Sequence, residues 1–305
     1  MIDDVTQRRS AVELMQICED DEGPYGLTFD ANGAIWVTLI HTGAILSIAP
    51  DRSIRRFQVG SSDSRPSLVT AAADGAIWCT LSGADALCRI SPDGSWTTTP
   101  LAAGSAPFGI AAGTDGSVWF TEMNTDRIGH IDTAGVRRWI DLPVNGGFPS
   151  FIVEGFDQTV WFTLNQANAI GHIDARGNVS MLDLPEPNAG PVGICASGDD
   201  VAFAEIASGT IGCIDRSGTY SATSLPGQNP RPHAIAPAGD GSLWVSQWGS
   251  NSIARLRPDG IITELPIPAS GREPHGIAID PVGDVWVALE NGYLARLNPA
   301  DTGDE

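Results

Sequence analysis

The chain has 305 residues and a net charge of −20, with 35 glycines, 21 prolines and nine tryptophans, and only 18% of its residues are charged. That charge repels phosphate backbones and acidic membrane surfaces, which argues against nucleic acid or a membrane as partner. No apolar run approaches the roughly 18 residues that cross a bilayer, and the glycine, proline and tryptophan content favours short strands and turns over helices.

Met1 to Ser10 is polar and mixed in charge, with no signal-peptide core. The five cysteines (Cys18, Cys79, Cys88, Cys195 and Cys213) are odd in number and lack CxxC spacing. They fit a reduced cytoplasmic protein with neither disulfide nor metal thiolate. The segment from Ala11 to Cys18 alternates like a strand. After it a repeat of about 42 residues takes over, marked by Pro24, Pro66, Pro107, Pro149, Pro191, Pro232 and Pro274. A tryptophan follows the proline by twelve residues in six units: Trp36, Trp78, Trp119, Trp161, Trp244 and Trp286. The fifth unit is one residue shorter and carries Val201-Ala202-Phe203 there.

Within the third unit, Phe108 to Ala112 predicts a strand, Thr114-Asp115-Gly116 a turn, and Val118 to Glu122 a second strand. Arg127 to Ile131 and Arg137 to Leu142 predict two more around the turn Thr133-Ala134-Gly135. Four strands per unit make a propeller blade. The seventh unit stops after three strands, near Asn298, and the N-terminal strand supplies the fourth. The expected fold is therefore all-β: a single seven-bladed β-propeller domain over residues 1–305, its ring closed by the N-terminal strand, which removes an exposed sheet edge. Met1 to Arg9 and Asp301 to Glu305 are expected to fray. The repeated tryptophans read as packing between blades, and the Asp-Gly pairs as turns.

Antiparallel pairing of a blade's first two strands brings the residues around the proline beside those just past the tryptophan, on one rim of the channel. Differences between units there point to function. The residue after the proline is Tyr25, Ser67, Phe108, Ser150, Val192, His233 and His275; the one before it is acidic only at Glu273. Four past the tryptophan, blades six and seven carry Trp248 and Glu290. One arc thus collects His233, Trp248, Glu273, His275 and Glu290. Two carboxylates suit a hard cation that keeps its waters, Mg²⁺ rather than Ca²⁺, with Zn²⁺ plus histidine as competitor. His275 is placed to act as a general base. His41, His130 and His172 read as idle surface histidines, and Glu122, Glu154 and Glu205 as solvated acids.

On these residues the chain resembles the streptogramin B lyases, also called virginiamycin B lyases, over about Val12 to Asn298. Pro232-His233-Ala234-Ile235, Trp248-Gly249-Ser250-Asn251, Glu273-Pro274-His275-Gly276 and Glu290 carry the resemblance. It implies a monomeric Mg²⁺-dependent enzyme that opens a small cyclic depsipeptide antibiotic at its ester bond by elimination and so confers resistance. Glu273 and Glu290 would hold the metal and His275 would take or relay the proton. His233, Trp248 and Tyr25 would contact the substrate. Gln247 departs from the pattern, standing where the third unit has Glu122, and so do Cys79 and Ala202, where aromatics are common; these bear on the substrate pocket more than on the chemistry. Two other classes stand beside the lyase: a non-catalytic propeller that binds a ligand or protein on the same rim, and a metal-dependent lactone hydrolase.

Overall fold

The computed structural model describes residues 11–302 as seven four-stranded antiparallel sheets arranged as a seven-bladed β-propeller. The first strands of neighbouring blades touch all round the channel, blade seven against blade one included. Helix among the described residues is limited to three short 3-10 turns. Strand Val12–Gln16 pairs with Tyr293–Leu297, Val12 opposite Leu297 and Gln16 opposite Tyr293, so the N-terminal strand completes the last blade as expected. The tail expected to fray at residues 1–9 and the last three residues lie outside the described residues. Asp301 and Thr302 instead end a 3-10 turn over Pro299–Thr302.

The repeat encodes its own turns. Each Asp-Gly aspartate turns its carboxylate onto a nearby amide, as Asp115 accepts from Ser117 N at 2.8 Å, and Gly116 takes the left-handed φ of +86° that the turn requires. The buried apolar residues fall into seven clusters, each straddling two adjacent blades. Every repeat tryptophan packs onto the blade that follows it; Trp244 of blade six, for example, lies in the core of blade seven. In blade five Ala202 takes the tryptophan's register position opposite Cys195.

Volumes are matched across strands two and three. Phe120, Phe162 and Phe203 sit opposite Gly129, Gly171 and Gly212, where an added Cβ would fall 2.0, 2.2 and 2.3 Å from the facing ring. The other blades replace the phenylalanine–glycine pair by non-aromatic pairs, Val37 against Leu46, Cys79 against Cys88, Val245 against Ala254 and Val287 against Ala295.

Two further devices build the rim. First, each inner strand is bulged between the proline and the third residue after it. In blades one, two, three, four and six the amide freed by the bulge is capped by a hydroxyl two past the tryptophan, and in all of these but blade four that hydroxyl is also bonded to the next blade. Thr121 accepts from Gly109 N at 2.8 Å and donates to Ser150 O at 2.7 Å. Thr38, Thr80 and Ser246 do the same. Second, the residue before each proline adopts a left-handed φ between 45° and 69°, although five of the seven are not glycine. Its carbonyl accepts from the amide four past the tryptophan at 2.8–3.3 Å in all seven blades. The two sequence positions singled out above are thus joined by one backbone hydrogen bond in every blade.

Two tests follow from this packing. Gly129→Ala should lose about 1–3 kcal/mol of stability in denaturant melts, and Phe120→Val on that background should recover part of the loss. Removing residues 1–20 should lower the melting temperature of the whole ring; an unchanged melt would contradict closure by the N-terminal strand.

Candidate active site

Blade seven supplies the chemistry. Its inner strand Pro274–Ile279 begins with His275 one residue in, and its second strand Val285–Leu289 ends just before Glu290. Glu290 N donates to Glu273 O at 3.1 Å, which ties the two acids at the backbone. Glu273 N is in turn held by Asn251 Oδ1 of blade six at 3.1 Å, and Arg272 N by Asn291 Oδ1 at 2.9 Å. The loop that carries Glu273 is therefore fixed from two blades, while the Glu273 side chain stays exposed.

The Glu290 carboxylate lies between two imidazoles. His275 Nε2 is 2.5 Å from its Oε2, and His41 Nε2, from blade one, is 3.1 Å from its Oε1. The hydrogen bond from His275 holds the Glu290 pKa below the usual glutamate range, against the opposing effect of partial burial. The charges of His275 and His41 and a hydrogen bond with the Glu273 carboxyl act in the same sense. A carboxylate only accepts, so His275 Nε2 carries a proton and donates it to Glu290, and Nδ1 is the ring's other nitrogen. That Nδ1 is buried and has no hydrogen-bond partner.

The other wall is aromatic. Tyr25 stacks on His275 with ring centroids 4.6 Å apart, and His233 meets His275 edge-on at 5.0 Å. Tyr25 Oη and His233 Nε2 are 3.1 Å apart. Burial, and then the nearby His275, hold the His233 pKa down at about 3, so this imidazole is neutral at physiological pH. Burial and the Glu290 charge push the Tyr25 phenol above its ordinary value, so it remains a hydroxyl. Trp248 stands apart, 38% exposed, with the Arg231 guanidinium 5.1 Å from its ring.

Of the residues singled out from sequence, Tyr25, His233, His275, Glu273 and Glu290 gather on one rim, and Trp248 occupies the matching position on blade six. Several expectations are corrected. His41 is not idle, because it holds Glu290 across the seam between blades seven and one. Glu122 and Glu205 are not solvated. Both are fully buried: Glu122 accepts from Arg127 at 2.6 Å and from Trp139 at 2.9 Å, and Glu205 is bonded to Thr210 and to Tyr220 at 2.8 Å. Glu154 caps Thr114. Gln247 does not face the pocket, since its buried amide donates to Ser252 and Glu264 within blade six. There the acid has moved to the fourth strand, and the glutamine takes the donor's part. His130 and His172 stack on Trp119 and Trp161, with centroids 4.1 and 4.6 Å apart, away from the rim. Phe108 and Phe151, not singled out for the site from sequence, complete the aromatic wall: Phe108 lies 6.2 Å from Tyr25 and Phe151 5.7 Å from His233.

Glu273 and Glu290 fit a hard divalent cation. Two neighbouring carboxylates, one held ionised, offer the oxygen donors that Mg²⁺ supplements with water. Among the described residues no three His, Cys, Asp or Glu side chains already stand around a common point.

Residues 10–297 match the virginiamycin B lyase family. A solved streptogramin B lyase structure is 36% identical, with TM-score 0.91 over 94% of this chain and 97% of that one. A selenomethionine virginiamycin B lyase from Staphylococcus aureus is 38% identical, with TM-score 0.89 over 94% and 98%. A catalytically inactive histidine-to-alanine form of the enzyme from the same organism, solved with quinupristin, is 37% identical, with TM-score 0.90 over 94% and 98%. A search of curated protein sequences finds no match.

The buried neutral His233 makes a pH prediction. An unfolded histidine titrates near 6.5, so unfolding takes up a proton between about pH 6.5 and about pH 3. Stability present at neutral pH is lost as the pH falls through that window. Below about pH 6, the wild type should lose on the order of 1 kcal/mol more per pH unit than His233→Gln. Parallel slopes in urea melts would refute this.

Proposed function

The chain belongs to the virginiamycin B lyase family, and on that premise we propose that it linearises cyclic streptogramin B depsipeptides by elimination at the ester bond and so confers resistance to them. The observation that carries the reading is the Glu290–His275 pair on the blade-seven rim, with Glu273 beside it and Tyr25 and His233 across the channel mouth.

His275 is the base. Glu290 orients its ring through Nε2 and leaves Nδ1 as the basic nitrogen. The proton on the α-carbon of the esterified threonine passes to His275. The Cα–H electron pair becomes a Cα=Cβ double bond as the Cβ–O bond breaks, and the ester's acyl half leaves as a carboxylate. No water is consumed. Glu273 and Glu290 would hold Mg²⁺, which when bound supplies Lewis acidity to the carbonyl beside that α-carbon. His233 and Tyr25, neutral and hydrogen-bonded to each other, present polar atoms to a neutral macrocycle without a buried charge. Trp248 offers an exposed ring at the same rim for the substrate to lie on. The catalytically inactive histidine variant of the Staphylococcus aureus relative supports an essential histidine in this chemistry. The five unpaired cysteines accord with a protein acting in a reducing compartment, and we take it to act as a cytoplasmic monomer.

Incubation with a streptogramin B and Mg²⁺ should give a linear product of unchanged mass. A product heavier by one water would mean a lactone hydrolase, and an unaltered antibiotic would favour a binding propeller. His275→Ala should lower kcat by about 10²–10⁴ with the fold retained. Excess chelator should abolish turnover, and Glu273→Gln or Glu290→Gln should each mimic it; full activity in chelator would remove the metal from the scheme.

A further inference from the structure

We infer that Ser246 is a positioning residue for the base His275, fixing the backbone from which the imidazole projects. This rests on the assignment of His275 as base made above.

Ser246 lies on the second strand of blade six, Leu243–Gln247, and is fully buried. Its hydroxyl has one proton to donate. His275 O stands 2.6 Å from Oγ and Ala234 O 3.4 Å, so the proton goes to His275. The same oxygen accepts from Ala234 N at 3.0 Å. Ala234 follows His233 directly, so one hydroxyl ties the peptide after His233 to the carbonyl of His275. It thereby sets the backbone under two rings whose centroids are 5.0 Å apart. The imidazole of His275 is held separately, at Nε2, by Glu290. The base is pinned at its backbone by blade six and at its ring by its own blade.

The other junctions show that this placement is selective. Thr38 and Thr121 make the same pair of bonds, but they grip the carbonyls of Ser67 and Ser150, which carry no proposed chemistry. Thr80 grips Phe108 O. At the two junctions where the gripped carbonyl would belong to His233 or Tyr25, Ala204 and Ala288 occupy the hydroxyl's position. The backbones approach there as closely as elsewhere. An added Cβ on Gly193 would fall 2.4 Å from His233 O and one on Gly276 2.4 Å from Tyr25 O, against 2.2 Å between Gly109 and Ser150 O. Of the three rings that meet at the site, the base alone receives the hydroxyl. Proton abstraction is the step that demands a nitrogen placed to within a fraction of an ångström.

The test compares variants of the full chain acting on a streptogramin B with Mg²⁺. Ser246→Ala should lower kcat at least about tenfold and keep KM within about twofold of wild type, because the bond places the base and does not bind substrate. Ser246→Thr restores the hydroxyl, which four other blades carry as threonine, and should recover most of kcat. Thr121→Ala removes the equivalent scaffold bond away from the base and should leave kcat within about twofold of wild type. A reading independent of turnover is the Nε2 proton of His275, followed by NMR in isotope-labelled protein. It should exchange with water at least about threefold faster in Ser246→Ala than in wild type or Thr121→Ala. A Ser246→Ala kcat equal to that of Thr121→Ala, a loss carried by KM, or a threonine variant that recovers nothing overturns the inference. If wild type leaves the antibiotic unaltered, the lyase reading fails and proton exchange alone judges the positioning, with equal rates in Ser246→Ala and wild type overturning it.

Discussion

Much of this molecule depends on the hydroxyl that bridges one blade to the next. The bulge after each proline frees an amide, and a buried amide without a partner costs about 1–3 kcal/mol. Threonine or serine two past the tryptophan caps that amide and, with the same oxygen, donates to the neighbouring blade's carbonyl. The bond therefore settles local backbone satisfaction and the spacing of the inner strands together. At the junction of blades six and seven the carbonyl it grips belongs to His275, 2.6 Å from Ser246 Oγ. A scaffold contact present around much of the ring becomes there the support of the proposed base. Ala204 and Ala288 take the hydroxyl's place in blades five and seven.

The site is a set of scaffold positions given unusual side chains. The left-handed residue before the proline and its hydrogen bond to the position past the tryptophan occur in every blade, so the backbone under Glu273 and Glu290 is no special construction. What differs is electrostatic. On one side Glu290 is kept ionised between two histidines, and on the other His233 is kept neutral by burial. Environments that drive neighbouring groups toward opposite charge states assign separate duties within a few ångströms.

The propeller was legible because a 42-residue period is hard to mistake, and ring closure because the last unit lacked a strand that the first residues supplied. Glu273, His233, His275 and Glu290 were legible because they break the repeat at positions the antiparallel pairing brings together. His41 was not, since its partner sits across the seam and no pattern within its own unit marks it. Phe151 escaped for a related reason: blades one, three, five and seven carry glycine at its position, against the neighbouring inner strand, and only the folded ring brings its phenyl beside His233. Glu122 and Glu205 looked like solvated acids because their partners, Arg127, Trp139 and Tyr220, lie on later strands whose pairing the acids themselves do not announce. Gln247 looked like a change in the pocket and is instead a donor exchanged for an acceptor inside a blade.

Ring closure by Val12–Gln16 has a consequence for how the protein comes into being. Among the strands of this ring, this one is made first and is the last to find its partner, which lies some 280 residues downstream. Blades one to six need only neighbours already made, so they can assemble during translation. The seam between blades seven and one, where Glu290 meets His41, must wait for the final strand and for the slowest, most distant contact in the chain. A nascent or truncated chain can thus carry six formed blades and still lack the contact between Glu290 and His41 across that seam.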